Sequence, residues 1–319
     1  MMPTEIDLQE AVRLGAADQQ FFGHFFFPQT FRQPSPAFHR DMVVALDSDY
    51  RLIAMMVFRD GAKTTLLRTY MARKISYAIA RTILVVGKSE AAAMRSLRWL
   101  RRQIEFNSLW TQTFGLERGK KWGDEELEIR HRVEGISISV LALGITGSTR
   151  GINLDDYRPD LIIADDISDE DNTKTLATVE DIDNRLNGDL RNSLAPASEA
   201  PHAKLVYLQT VLVKNDSISR CEEDPAWLFL RFSIFDEMGK SRWESRYPTA
   251  QLHEEKASFI ARGKLPLWMR EKECKITDSE LAAFPSQRLK FWDVLPEKEL
   301  MTVTLGIDPV PPPSDTELN

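Results

Sequence analysis

The chain is short of cysteine, of positive charge and of long apolar runs, and each shortage excludes something. Cys221 and Cys274 are its only cysteines, and they lack any C-x-x-C spacing. A disulfide framework is excluded and a structural zinc disfavoured, so a reducing compartment is the expected setting. No stretch reaches the ~18 consecutive apolar residues of a membrane span. The amino terminus lacks the charged-then-apolar pattern of a secretion signal, so no membrane partner is expected. The net charge is −7, which excludes a generally basic nucleic-acid coat. Any DNA contact has to be local, transient or shared among subunits.

What is present is an ordinary globular composition. The 319 residues are 43% hydrophobic and 28% charged, enough for a large core without a disulfide or metal staple. That length suits one large domain plus an appendage. Residues 1–20 read as a polar amphipathic helix. An aromatic cluster follows (Phe21, Phe22, Phe25, Phe26 and Phe27), then a stretch punctuated by Pro28, Pro34 and Pro36. Apolar runs predict strands over 53–57, 82–86, 161–164, 204–208 and 228–235, with helices over 64–80 and 89–106. Alternation over 126–143 around Glu134 and Gly135 predicts a hairpin. Strands alternating with helices imply an α/β fold, a mostly parallel sheet flanked by helices. The stretch 240–300 has no strand run and is expected to be a small helical subdomain. A new strand begins at 303–307, before Pro309 and Pro311–Pro313 break the chain. The expected organisation is therefore a core over 1–239, a helical linker over 240–300 and the start of another domain over 301–319.

The chemistry begins at Phe58-Arg59-Asp60-Gly61-Ala62-Lys63-Thr64-Thr65, between a predicted strand and a predicted helix. In a P-loop, backbone N–H groups and a helix amino terminus cradle the phosphates of ATP. A lysine reaches the β- and γ-phosphates, and the following hydroxyl binds Mg²⁺. Lys63 and Thr64 fill those roles, with Arg59, Asp60, Gly61, Ala62 and Thr65 completing the loop. The motif asks for glycine immediately before the lysine and six residues before it. Ala62 and Val57 stand there instead, so the octapeptide alone is equally a strand–turn–helix junction with a solvated lysine.

A second element lies about 100 residues downstream, where a short apolar strand ends in Asp165-Asp166. The first carboxylate there holds the water shell of the Mg²⁺. The second polarises the attacking water, as in P-loop NTPases whose catalytic acid sits on an additional strand. The plainer alternative is a surface loop, since Asp169, Glu170 and Asp171 follow closely. Together the two elements predict a magnesium-dependent ATPase of that type. A third strand ends at Thr210, with Asp216 after it, where a polar side chain can touch the γ-phosphate or the attacking water. An ordinary strand end reads equally well at that point alone. Arg95, Arg98, Arg101 and Arg102 recur at near-helical spacing, as a DNA- or subunit-facing stripe or as the solvated face of an amphipathic helix.

In this order the elements resemble the large terminase subunit of tailed double-stranded DNA bacteriophages. That family often places an arginine four residues before the lysine, where Arg59 lies. The segment Gly147-Ser148-Thr149-Arg150-Gly151 looks like its Arg-Gly element, and the strand ending in Thr210 looks like its coupling motif. The resemblance implies that Arg150 is donated to a neighbour across a ring interface while Arg59 acts within its own subunit. His39 sits where relatives often carry a Tyr-Gln pair near the adenine. The stretch from Trp243 to Trp292 is similar to the family's helical linker. Gly306-Ile307-Asp308-Pro309 looks like the first strand of an RNase H-like nuclease domain, whose leading aspartate binds a metal. A lone Asp308 cannot build a two-metal site, so cleavage is expected only from a longer protein. Relatives commonly have glutamate where Asp166 stands, which leaves either Asp166 or Glu170 as the base.

The implied function is an ATP-hydrolysing motor that moves double-stranded DNA into a procapsid in the host cytoplasm. Its implied partners are the capsid portal, the small terminase subunit and further copies in a ring, with a monomer expected in isolation. The alternatives are another P-loop enzyme on nucleic acid, such as a helicase or remodeller, and a docking module with a degenerate nucleotide pocket.

Overall fold

Strands buried on both faces need near-continuous apolar sequence, and the centre of this sheet has it. β1 (Leu52–Val57), β2 (Thr82–Gly87) and β7 (Lys204–Gln209) are buried along their whole lengths. The computed structural model describes residues 7–147 and 157–277. With β3 (Leu116–Trp122), β4 (Glu126–His131), β5 (Ile136–Gly144), β6 (Leu161–Asp165) and β8 (Leu228–Phe232), they form an eight-stranded sheet. The strand order is β3-β4-β5-β2-β6-β7-β1-β8. Pairing is parallel from β5 through β8 and antiparallel only at β3–β4 and β4–β5. β6, β7 and β1 are adjacent, so their carboxyl ends lie side by side. That edge is where open α/β sheets bind ligands.

Helices cover the sheet. α4 (Lys63–Ser76) follows β1, and α5 (Glu90–Phe106) follows β2 and packs on β2 and β5. α4 stops four residues before the expected end, at Ser76, because Ala78 turns left-handed at φ 52°. The aromatic cluster is explained by packing. α1 (Leu8–Ala17) and α2 (Gln19–Phe26) precede α3 (Ala37–Asp47). Phe22, Phe26 and Phe27 are buried against Tyr77, Phe114, Trp99 and Trp110. α6 (Ser108–Phe114) supplies two of those rings.

Two strands differ from expectation. β3, with the sequence Leu-Glu-Arg-Gly-Lys-Lys-Trp, carries no apolar run. It is an edge strand, where charge is tolerated and discourages pairing with other chains. β8 ends at Phe232 rather than 235, because the backbone changes partner and Ile234 N–H donates to the Lys272 carbonyl at 2.8 Å. That acceptor ends the carboxyl-terminal helical pair, α10 (Thr249–Ala261) and α11 (Leu265–Glu273), which is anchored by buried Trp243, Leu252 and Trp268. Between β6 and β7 run α7 (Leu176–Asn184), a π-helical turn (Arg185–Leu190) and a short α8 (Arg191–Ser193). α9 (Ser217–Glu223) follows β7. Among the described residues no helix is long and apolar enough to cross a membrane.

Candidate active site

The loop after β1 is shaped by two left-handed residues flanking a glycine. Asp60 has φ 68° and Ala62 φ 58°, conformations that cost an L-residue about 1–2 kcal/mol. Gly61 is needed for a different reason. A Cβ there would lie 2.8 Å from Val57 Cγ1 and 3.0 Å from the Phe58 carbonyl. Ala62 is the amino-terminal cap of α4 and offers no side-chain hydrogen bond to it. The first-turn N–H groups are thus left for an anion, which the helix dipole favours. The missing glycine at 62 therefore changes strain and leaves the loop shape intact. Ala62→Gly is expected to raise stability by about 0.5–1 kcal/mol, read as a higher urea midpoint at unchanged slope.

The three strand ends bring Lys63, Thr64, Asp165, Asp166 and Thr210 together. Lys63 Nζ lies 3.0 Å from Asp166 Oδ2 and donates to Thr210 Oγ1 at 3.1 Å. Thr210 Oγ1 in turn donates to the Val57 carbonyl at 2.8 Å, tying β7 to β1. Thr64 donates to Asp165 Oδ2 at 2.7 Å, while Asp165 Oδ1 is buried without a partner. Burial pushes the Asp165 carboxyl above its ordinary range, and the neighbouring Asp166 charge adds to the effect. An orphaned buried carboxylate oxygen beside a hydroxyl is an all-oxygen donor set that suits a hard divalent cation. Among the described residues no group of three or more His, Cys, Asp or Glu could hold a metal. Mg²⁺ taken up with phosphates needs only one or two protein ligands, so the pair fits. Asp166 adopts φ 46°, and its side chain meets Lys63. Gln209 fastens the following loop, accepting from Ser168 N–H at 3.1 Å and donating to its carbonyl at 3.3 Å.

These groups line a cleft of about 510 Å³ whose rim is crossed by α11. Arg59 is 66% exposed and pairs with Glu271 at 3.1 Å. Its own N–H donates to the Glu271 carbonyl at 2.7 Å. Lys272 lies 3.5 Å from Asp60, and Arg270 pairs at 2.8 Å with Glu170, which is 76% exposed. Asp166 thus lies beside the lysine, whereas Glu170 is held at the rim.

A second pocket of about 350 Å³ adjoins the start of α4, lined by His39, Ala62, Thr65, Leu66, Trp243 and Arg246 among others. His39 is 4% exposed, and its Nε2 lies 2.9 Å from the Gly61 carbonyl. That contact places the proton on Nε2 and leaves Nδ1 a buried acceptor without a partner. Burial pushes the His39 pKa down to about 4; the Gly61 contact opposes this and the Arg246 charge reinforces it. The unfolded chain takes up this proton near pH 6.5 and the folded one only near 4. The stabilisation is therefore complete above about 6.5 and is lost as pH falls toward 4, roughly 3 kcal/mol in all. Urea unfolding at pH 7 and pH 4.5 should show a smaller acid loss for His39→Gln than for the parent chain.

Arg150 and Asp308 lie outside the described residues, as does most of the Arg-Gly element. The arginine stripe on α5 divides. Arg98 and Arg101 both pair with Asp124, at 3.4 and 2.8 Å, whereas Arg95 lines the cleft. Arg68, Lys88 and Glu271 also line it and were not singled out from sequence. Arg68 follows Thr64 by four residues, a helical spacing that puts both on one face.

The fold is that of a P-loop NTPase: a mostly parallel sheet flanked by helices, with a tight loop and a helix after its first strand. More particularly, the fold is similar to that of the ATPase domain of the large terminase of Thermus phage P74-26. The two superpose with a TM-score of 0.53 at 10% sequence identity, covering 79% of this chain and 97% of that one. An arginine-to-alanine mutant of the same Thermus phage domain gives 0.52 at 9% identity, covering 79% and 98%. No protein-family profile and no curated protein matches the sequence.

Proposed function

We propose that the chain is an ATP-hydrolysing motor domain of the large-terminase kind, driving double-stranded DNA into a procapsid. The observation that carries the proposal is the convergence of Lys63, Thr64, Asp165, Asp166 and Thr210 on one edge of three adjacent parallel strands. The likeness of fold to a phage terminase ATPase domain supports the motor assignment.

In this reading the α4 amino terminus and Lys63 bind the β- and γ-phosphates, and the second pocket takes the adenine beside His39. Thr64 and Asp165 hold Mg²⁺, which when bound neutralises charge on the phosphates. Binding of the triphosphate draws Lys63 off Asp166. The freed carboxylate then accepts a proton from the attacking water. Thr210, bonded to both Lys63 and the β1 carboxyl end, registers the change in the phosphates and passes it to β7. Arg59 supplies further positive charge once released from Glu271, and Arg150 acts on a neighbour's nucleotide within a ring. The portal, the small terminase subunit and a site of action on the procapsid in the host cytoplasm belong to the same proposal. Residues 240–300 then serve as linker, and Asp308 begins the nuclease domain. The test is DNA packaging into purified procapsids by the full protein. Nuclease-protected DNA should accumulate with ATP and fail to accumulate when Lys63 is alanine. Packaging that proceeds unchanged in that variant would overturn the motor assignment.

A further inference from the structure

Among the described residues five cations line the proposed phosphate cleft, and their pairing is uneven. Arg59, Lys63 and Lys88 each have a carboxylate partner, at 3.1, 3.0 and 3.2 Å. Arg68 and Arg95 also line the cleft and have no carboxylate partner among the described residues. Arg68 is half-buried on α4, one turn beyond Thr64, and its Nε donates to Ser96 Oγ at 3.1 Å. That bond fixes the plane of the guanidinium and leaves its terminal nitrogens without a partner among the described residues. Arg95 reaches the same wall from α5, adjacent in sequence to Ser96.

The half-buried guanidinium of Arg68, with the exposed Arg95 beside it, is unfavourable without an anion. Burial lowers the Arg68 pKa and the charge of Arg95 lowers it further, while Asp165 opposes both. A half-buried cation with no carboxylate in contact carries a desolvation cost that a bound anion removes. The fork of an arginine matches phosphate oxygens two at a time. Both arginines share the cleft with Lys63 and Asp165, and Asp165, the acid that would hold the metal, is near enough to act on the Arg68 charge.

We propose that Arg68 and Arg95 form a second phosphate clamp that grips the terminal phosphoryl group of the bound triphosphate from its own subunit. This rests on the proposed ATPase reading and adds to it two substrate-contacting residues distinct from Arg59 and Arg150. The clamp distinguishes triphosphate from diphosphate, because ADP lacks the group it holds. It also gives the released inorganic phosphate a place to dwell before it leaves.

The experiment is calorimetric titration of the whole chain with a non-hydrolysable Mg²⁺–ATP analogue, with Mg²⁺–ADP, and with inorganic phosphate added to the ADP complex. Arg95→Ala is the deciding variant, because Arg95 is exposed and its loss leaves the core untouched. Arg68→Ala is the companion, with thermal melting to confirm that it folds. Each should weaken the triphosphate analogue on the order of 10- to 100-fold, as loss of a hydrogen bond to a charged group does. Each should leave ADP affinity within about twofold. Phosphate should bind the ADP complex of the parent chain and be lost in Arg95→Ala. Arg68→Lys should restore part of the affinity, since it keeps the charge and loses the fork. If Arg95→Ala weakens triphosphate and ADP equally, or neither, the clamp is refuted while the ATPase reading stands. A parent chain that binds no nucleotide refutes both.

Discussion

Lys63→Ala should lower ATP turnover by at least about 10²- to 10³-fold, the usual cost of losing one preorganised charge at a reacting group. Nucleotide affinity should fall as well, because the ammonium is proposed to contact phosphates in the ground state. Lys63 starts α4 with its side chain against Asp166 and Thr210, so removing it takes away the only cation paired with Asp166 among the described residues. Asp166 is 44% exposed, and water replaces that partner at little cost to folding. An unchanged melting temperature with lost turnover is the expected combination. Full activity in this variant would remove the P-loop assignment.

Asp166→Asn should separate chemistry from binding. A positioned base contributes typically about 10²–10⁴-fold, and its role exists only on the way to the transition state, so kcat falls while affinity holds. The geometry also favours one of the two acids that the sequence left open. Asp166 lies 3.0 Å from the lysine, while Glu170 is held by Arg270 at the rim. Glu170→Gln should accordingly change kcat by less than about twofold, a typical effect for an exposed ion pair. The reverse outcome, a dead Glu170→Gln with an active Asp166→Asn, would move the base to the rim loop.

Much of this was legible before the structure because strand burial leaves a plain trace. β1, β2, β6 and β7 are apolar runs, and the residues after them are the polar ones that gather at the carboxyl edge. The Glu134-Gly135 turn was readable too, since Gly135 takes φ 66°. What escaped was whatever depends on tertiary neighbours. β3 has no apolar period because it lies at the sheet edge, and its Gly119 sits where a Cβ would strike Glu128. Arg68 looks in sequence like any helical arginine, and Arg95 looks like a member of a solvated stripe. Only the packing of α5 beside α4 gives them a common wall. The embrace of the loop by Glu271 and Lys272, some 200 residues away, has no local signal at all.

The most direct test of the central claim is phosphate release from Mg²⁺–ATP by the purified chain, measured per subunit over a wide range of protein concentration. Turnover should depend on magnesium, be weak when dilute and rise as subunits meet, and fall by at least about 10²-fold in Lys63→Ala at every concentration. Turnover that is indifferent to Lys63, or no turnover under conditions where the chain binds ATP and assembles on procapsids, would contradict it.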